Sequence, residues 1–401
     1  MLQNLSSKFK TIFEIKFMKI PFEKLSSYGN NFIIIDEISK QYIPESKKNY
    51  FSKNVTDINF GIGSDGFITI QQCTLKVLSK INDARSYWKT TPLQINADYI
   101  FRMFEPDGSE SLCCGNGLMC TAYYLYKTKG ITSSRVLTEI PTKSPVVRTL
   151  GYDKEKQEVW VNMGTPVKVP FFLFNSMDME LCDTNIYKAH FNINLNRIAN
   201  LINIPGIDPC LKQQFSLTGY LIFTGEPHLI FLLEPKKYNN TLVGSMFVKD
   251  GHMRYEYATK KDMKSLKIDL VYAIGKYFNN NLRDVFPCGI NINFINYIED
   301  ANVIEQRCFE RGIEKETLAC GTGMVASAYL LRTLNIVKNK SIHIHPVKCR
   351  NFRPNAKIEI EIRGSEYFLY GIPARICTGT LIPSPQAVTE WKNEGQYYNI
   401  H

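Results

Sequence analysis

Two stretches of the chain place a cysteine ahead of the same glycine-rich pattern. Cys114-Gly-Asn-Gly-Leu-Met-Cys-Thr-Ala-Tyr-Tyr-Leu125 and Cys320-Gly-Thr-Gly-Met-Val-Ala-Ser-Ala-Tyr-Leu-Leu331 overlay without a gap, 206 positions apart. Each reads as a turn opening a helix. A thiol at that position faces unpaired backbone N–H groups and the positive end of the helix dipole. Such surroundings lower a cysteine pKa from about 8.5 to roughly 3.5–7.5, so that the thiolate becomes a resting form. The N–H groups of Gly115, Asn116, Gly321 and Thr322 can hold an anion such as a carboxylate, and glycine leaves the backbone open to its approach. If both loops act on one molecule, a thiolate can remove a Cα proton from one face while a thiol returns a proton to the other. The charge that develops spreads into a carboxylate held at two helix N-termini. That chemistry calls for neither pyridoxal nor a metal.

The elements needed to position these loops can be read on either side of them. The runs Leu118–Tyr126 and Met324–Leu334 are apolar nearly all round, which predicts two buried helices; Lys127 to Gly130 closes the first. Short β-like stretches lie at Phe32–Ile35, Phe67–Ile70, Glu158–Val161, Tyr220–Phe223, Leu229–Leu233, Ile290–Ile295 and Lys357–Ile362. The expected fold class is α/β: two pseudo-symmetric domains, each a mixed sheet or barrel wrapped around a central helix. Polar stretches near 37–57, 73–95, 170–215 and 235–265 read as insertions or peripheral helices. Gly and Pro at Asn162–Pro166 mark the domain break. The expected organisation is an extension over 1–16, one domain over 17–162 plus 373–401 carrying Cys114, and a second over 163–372 carrying Cys320. Met18 is a candidate start.

Composition excludes several classes. Hydrophobic residues make up 44% of the 401 and charged residues 21%, as in ordinary globular domains. The formal charge of +10 is spread without a basic run, so nucleic-acid binding is not expected. No apolar run approaches the ~18 residues of a membrane-crossing helix. Eleven cysteines in no regular spacing, after an N-terminus without a secretory apolar core, point to a reducing cytoplasm. Cys73, Cys113, Cys120, Cys182, Cys210, Cys288, Cys308, Cys349 and Cys377 are expected to act as small apolar residues, and a redox pairing of Cys114 with Cys320 is the minor alternative. Zinc is disfavoured for want of a C-x-x-C pair or a matching histidine cluster; His343 and His345 read as structural. Gly61-Ile-Gly-Ser-Asp-Gly66 has the letters of a dinucleotide fingerprint, but it precedes a strand rather than opening a helix.

From Phe22 to Leu381 the sequence resembles the diaminopimelate epimerases. The blocks that carry the resemblance are Tyr-Gly-Asn-Asn-Phe32, Gly61–Gly66, Asp-Gly-Ser-Glu110, Cys114–Gly117, Asn-Met-Gly-Thr-Pro166, Gly-Glu-Pro-His228, Asn291, Glu-Arg-Gly312, Ala-Cys-Gly-Thr-Gly323 and Gly-Ile-Pro-Ala374. The resemblance implies two domains with the site in the cleft between them. It also implies conversion of LL- to meso-diaminopimelate, a precursor of lysine and peptidoglycan, with Cys114 and Cys320 as the acid–base pair. His228 and Glu310 match residues important for activity at the thiol sites. Gly115, Asn116, Gly321 and Thr322 match the carboxylate-binding loops, Asn30 the residue near the α-ammonium, and Asn291 and Arg311 binders of the far end of the substrate. A small amino-acid substrate is the expected partner, with no cofactor, nucleic acid or membrane; a homodimer is an admissible assembly.

The departures bear on the substrate. Glu105 and Glu226 stand where the family places asparagines that hold the far carboxylate. Ionised glutamates only accept hydrogen bonds. A carboxylate about 4 Å from each would be repelled by about 4 kcal/mol per pair at an effective dielectric near 20, which is as much as millimolar binding is worth. Unless Arg311 or a proton neutralises them, the pocket suits a cationic or neutral side chain such as that of histidine, lysine, ornithine or arginine. The bland alternative turns Glu105 away or pairs it with Arg102, and a descendant that only binds an amino acid is a further reading. Three residues, Ile313-Glu314-Lys315, separate Glu-Arg-Gly312 from Glu316-Thr317 where the family has two, and a bulge is expected there.

Overall fold

The run Phe32–Ile35 is apolar at every position, too dense for a strand with one wet face. In the computed structural model, strand β2 (Asn30–Glu37) is accordingly buried on both faces along most of its length. Residues 19–93, 95–175, 179–194, 198, 214–233, 253–254, 267–268 and 270–383 are described. The expected extension over 1–16 and nearly all of 235–265 lie outside them. The chain divides into two compact units, Met1–Val159 with Ile372–His401, and Trp160–Gly371.

In the first unit, β1 (Ile20–Ser27) runs antiparallel to β2 through a two-residue turn, Tyr28 and Gly29, with φ of 50° and 96°. Left-handed backbone at both positions matches the twist of a tight hairpin. Next come β3 (Gly66–Gln72), parallel to β2, β4 (Tyr99–Phe104), antiparallel, β5 (Ser133–Thr138), parallel, and β6 (Val146–Asp153), antiparallel. The connections hold α1 (Lys48–Val55), α2 (Leu75–Arg85) and α3 (Gly115–Lys129), the first and third of them in parallel crossovers. Helix α3 touches β1, β2, β4 and β6, so the sheet curls round it. Phe51 and Val55 of α1 cover Ile33, Ile35 and Phe67 on the other face, and Leu78 and Ile81 of α2 pack with Ile100 and Leu137.

Strand β7 (Glu158–Asn162) leads on into the second unit. There β8 (Glu180–Asp183), β9 (Ile186–Asn194), β10 (Gln214–Phe223) and β11 (Pro227–Leu232) are successively antiparallel. Strand β12 (Asn291–Ile298) is parallel to β11, β13 (Val303–Glu310) antiparallel to β12, and β14 (Lys315–Thr317) folds back on β13. Strand β15 (Ser341–Pro346) is parallel to β13, and β16 (Ile358–Arg363) and β17 (Glu366–Gly371) follow antiparallel. Helix α4 (Leu270–Asn281) lies in the β11–β12 crossover, and α5 (Gly321–Thr333) in the one leading to β15. Helix α5 touches β10, β11, β12, β16 and β17. The sequence of strand directions from β1 to β6 recurs over β10, β11, β12, β13, β15 and β16. Each repeat is therefore a mixed sheet wrapped round one buried helix. Strand β18 (Ala374–Leu381) pairs with β1 of the first unit.

The stretch 170–215 departs from its expected role as an insertion. Its strand β9 pairs with β10 from Asn194↔Gln214 to Tyr187↔Leu221, and Tyr187, Ala189 and Ile193 enter the core. Their period-two spacing was diluted by the polar residues between them. The stretches 37–57 and 73–95 do carry helices, α1 and α2. Gly66 opens a strand, and the Asp65 carboxylate beside it accepts from the Asn31 backbone at 2.9 Å and its side-chain amide at 2.8 Å. The Gly61–Gly66 block thus braces the β1–β2 hairpin. Among the described residues no helix is long and apolar enough to cross a membrane.

Candidate active site

Each unit carries a cysteine at the start of its buried helix, on the same ground plan. In the first, Cys114 is the N-cap of α3, in extended backbone at φ −139°, and its sulfur accepts from the Gly117 N–H at 3.3 Å. The sulfur is half-buried, while Gly115 and Asn116 are buried. The Asn116 amide donates to Asn30 Oδ1 at 2.8 Å, from the position where the β1–β2 hairpin delivers Asn30. Sequence-expected Asn30, Cys114, Gly115 and Asn116 thus share one corner. Glu105 is half-buried on the turn after β4; its N–H bonds Ser109 and its carbonyl accepts from Gly108 and from the Ser52 hydroxyl.

In the second unit Cys320 is the N-cap of α5, with φ −125°, and is 6% exposed. Its sulfur lies 3.5 Å from Thr322 Oγ1. Thr322 Oγ1 is 2.9 Å from Nε2 of fully buried His228, whose Nδ1 is 3.0 Å from the Asn293 amide nitrogen. The Gln306 amide donates to Asn293 Oδ1 at 2.9 Å. Read from its far end, this chain has one consistent polarity. Gln306 fixes the Asn293 amide, Asn293 N–H donates to Nδ1, Nε2–H donates to Thr322, and the threonine hydroxyl is left to donate to the Cys320 sulfur. Burial, helped by the Arg311 cation, lowers the His228 pKa to about 3, so the ring is neutral at physiological pH. Gly323 is required where it stands, since a Cβ there would come within 2.4 Å of Asn293 Oδ1.

Three further groups bear on Cys320. The Cys308 thiol donates to its sulfur and is the main influence lowering its pKa; burial opposes this, and the Thr322 hydroxyl and Gly323 N–H assist. The Cys308 Sγ, a Glu310 carboxylate oxygen and the Cys320 Sγ all lie within 4.8 Å of one another. Cys308 is buried as expected, yet its position beside Cys320 corrects its reading as a plain apolar residue. Glu310 accepts from the Thr317 hydroxyl. Glu226, Asn291 and Arg311 also come together: Arg311 Nε reaches Glu226 Oε2 at 3.1 Å and Nη2 reaches the same oxygen at 2.5 Å, while Asn291 Oδ1 accepts from the Arg311 N–H at 3.0 Å. Glu226 is therefore neutralised by Arg311.

The repeats share one element that the overlay from the cysteines onward did not reach. Glu110 and Glu316 each stand four residues before their cysteine, and each is clasped by a buried arginine from the preceding strand. Arg102 Nε and Nη2 meet the Glu110 carboxylate at 2.7 Å each, and Arg307 meets Glu316 at 2.6 Å twice. Glu110-Ser-Leu-Cys-Cys114 and Glu316-Thr-Leu-Ala-Cys320 carry the signal in their letters. Arg102 also binds Glu45, so it is occupied by Glu110 and Glu45, away from the pairing with Glu105 considered above. The extra residue near 313 produces no bulge in the ladder. Pairs Cys308↔Thr317, Phe309↔Glu316 and Glu310↔Lys315 stay in register, and the turn absorbs it with left-handed backbone at Gly312 and Glu314. Asn293 and Gln306 went unread because they lie on separate strands with no spacing to link them, and Cys308 was read only as a small apolar residue.

Two sheet-and-helix repeats each place a cysteine at the N-cap of the buried helix, and by its likeness to the epimerases the chain is an isomerase. The family model described as diaminopimelate epimerase matches residues 22–169. The diaminopimelate epimerase of Methanothrix thermoacetophila is 26% identical over 365 residues, covering 90% of this chain and 96% of its own. That of Methanocella arvoryzae is 28% identical over 327 residues, covering 80% and 85%. A PhzF-family phenazine biosynthesis protein of Bacillus anthracis shares the fold, with a TM-score of 0.51 at 12% identity over 90% of this chain and 99% of that one. Over most of its length the chain is similar to the diaminopimelate epimerases.

Proposed function

We propose that this enzyme inverts the α-carbon of an amino acid by moving protons at two sulfurs, without a cofactor. The observation that carries the reading is the hydrogen-bonded chain ending on Cys320, which favours a thiolate at a helix N-terminus in one repeat while the other repeat offers a thiol at the matching position. The Cys320 thiolate takes the Cα proton from one face, and the electron pair left behind spreads into the substrate carboxylate. Backbone N–H groups of Gly115, Asn116, Gly321 and Thr322 receive that charge; a single donor of this kind is worth about 3–4 kcal/mol. The Cys114 thiol then protonates Cα from the opposite face and is left as the thiolate. The reverse passage restores both sulfurs. Asn30 serves the α-ammonium. His228 is a positioning residue: neutral and buried, it neither gives nor takes the substrate proton, and it turns the Thr322 hydroxyl toward Cys320. Glu310 holds its place beside the same sulfur.

Diaminopimelate is the substrate named for the relatives, and it is the first substrate to test. A specific observation favours a second. Glu226 already occupies the guanidinium of Arg311, the group expected to hold the far carboxylate, and so acts as a built-in carboxylate at that end. An amino acid with a cationic or neutral end suits this arrangement. The test incubates the reduced enzyme in heavy water with diaminopimelate, lysine, ornithine, arginine and histidine, and follows deuterium at Cα. Exchange confined to diaminopimelate supports the first substrate, and exchange confined to the others the second. Exchange in none would reduce the protein to amino-acid binding and sink the reading.

A further inference from the structure

Cys308 has no thiol counterpart in the first repeat. The arginine clasps align Arg102 with Arg307, so Met103 stands where the second repeat has Cys308. Residues two apart on a strand share a face, which puts Cys308 and Glu310 on one side of β13. The pairing of Cys308 with Thr317 brings the chain back so that Cys320 arrives at that same face. Two sulfurs and a carboxylate oxygen are thereby gathered within 4.8 Å, with both thiols buried.

We propose that Cys308, Glu310 and Cys320 form a binding site for a thiophilic divalent cation of the zinc type, and that occupation of it shuts off the enzyme. A tetrahedral ion with metal–sulfur bonds of ~2.3 Å and metal–oxygen bonds of ~2.0–2.2 Å holds its ligands ~3.5–3.8 Å apart. The donor separations, all within 4.8 Å, exceed that spacing by no more than about 1.3 Å. Two thiolates with one carboxylate select zinc over magnesium or calcium, and three protein ligands leave a fourth position for water or a substrate carboxylate. The Thr317 hydroxyl orients the carboxylate from behind. Each coordinated thiol loses its proton to solvent, two in all or one where Cys320 is already ionised, and nothing is oxidised. A sulfur whose lone pair lies on the metal cannot take a Cα proton. This inhibition rests on the two-thiol reading; the binding itself does not.

The test is a titration of the reduced, metal-free full chain with cobalt(II), followed by its thiolate-to-metal absorption in the near ultraviolet. One equivalent is expected to produce the band. Cys308→Val should weaken binding by more than about tenfold, which is what even the loss of an outer hydrogen bond costs at a metal site, and Cys114→Ser should leave it intact. Cys308→Ser repeats the test should the valine variant not fold, as judged by its melting curve. No thiolate band at millimolar cobalt, or a Cys308 variant that binds as tightly as the parent, overturns the site. In the activity arm, zinc should stop Cα–deuterium exchange, a chelator restore it, and Cys308→Val resist it. Equal inhibition of parent and variant counts against the proposal. A cobalt band in a protein that exchanges no amino acid upholds the site and overturns the two-thiol reading.

Discussion

Cys114 and Cys320 occupy matching positions in a duplicated fold, but the residues behind them have diverged. In the first repeat the side chain two positions beyond the thiol is Asn116, bonded to Asn30 at the start of the hairpin's second strand. In the second, Thr322 is bonded to His228 at the corresponding place, and the chain continues through Asn293 to Gln306. Gly29 and Gly225 turn the two hairpins with nearly equal φ, 96° and 93°. The backbone was thus kept while the polar chemistry changed. The deeper layers differ as well. In the first repeat the Arg102–Glu110 clasp is extended by Glu45, Lys48 and Glu37 into a buried network of charges. In the second the Arg307–Glu316 clasp is joined by Lys348, and neutral amides and an imidazole lead to Thr322 beside Cys320. On the proposed mechanism, two similar backbones prepare sulfurs for opposite tasks by differing in what stands behind them.

The largest test of this comparison is at the sulfurs. Cys114→Ser and Cys320→Ser should each lower inversion by about 10²–10⁴, the usual share of a general acid or base. They should differ in heavy water: Cys114→Ser keeps Cα exchange for the isomer whose hydrogen faces Cys320, and equal loss for both isomers would remove the assigned asymmetry. Next come the shared clasps. Glu316→Gln leaves buried Arg307 without its clasping carboxylate, and stability measured in urea should fall by about 3–5 kcal/mol. Glu110→Gln leaves Arg102 still paired with Glu45 and should cost less; an equal loss in both would show that Glu45 does not compensate.

Acid titration separates the two deeper layers. The folded pKa of His228, about 3, lies below its unfolded value, so the unfolded chain takes up a proton first. Stability from this residue is complete above about pH 6.5 and is lost toward pH 3 at up to about 1.4 kcal/mol per unit. His228→Gln should flatten that slope. In the first repeat, burial alone would raise the Glu45 pKa, but Lys48 and Arg102 bring it down to about 2. Its contribution is present above about pH 4.5 and disappears between there and pH 2, so Glu45→Gln should alter only the more acid part of the curve. The smallest effect is at Thr322. Without its hydroxyl, Thr322→Val should raise the Cys320 pKa and slow alkylation of Cys320 by about tenfold at neutral pH, the cost of one hydrogen bond to a charged group; Thr322→Ser should recover most of it.

The parts most legible from sequence were those whose local pattern and physical cause coincide. A cysteine, two glycines and an apolar run can hardly be anything other than a capped, buried helix, and both copies are. Phe32–Ile35 and Leu229–Leu233 declared strands buried on both faces. Contacts made by distant residues were harder to read. Neutralisation of Glu226 by Arg311 could be raised but not decided, since the two lie 85 residues apart, and Asn293 and Gln306 looked incidental because the imidazole between them and Cys320 comes from another strand. Cys308 carried no signal beyond being small, and only the fold of β14 back onto β13 gave it a neighbour. The Glu-x-Leu-x-Cys repeat was readable and unread, since the comparison began at the sulfur instead of four residues earlier.

On the proposed two-thiol mechanism, the unequal support of the two sulfurs makes the resting enzyme handed. On that reading Cys320, whose pKa is lowered chiefly by the Cys308 thiol, is the sulfur that starts as the base, so the free protein stands ready for one mirror image and is left after each conversion in the opposite proton arrangement. Before the next molecule of the same isomer can react, the sulfurs must exchange that proton with water or accept product in reverse. Recovery between turnovers thus becomes an event with its own rate, which product at high concentration can bypass.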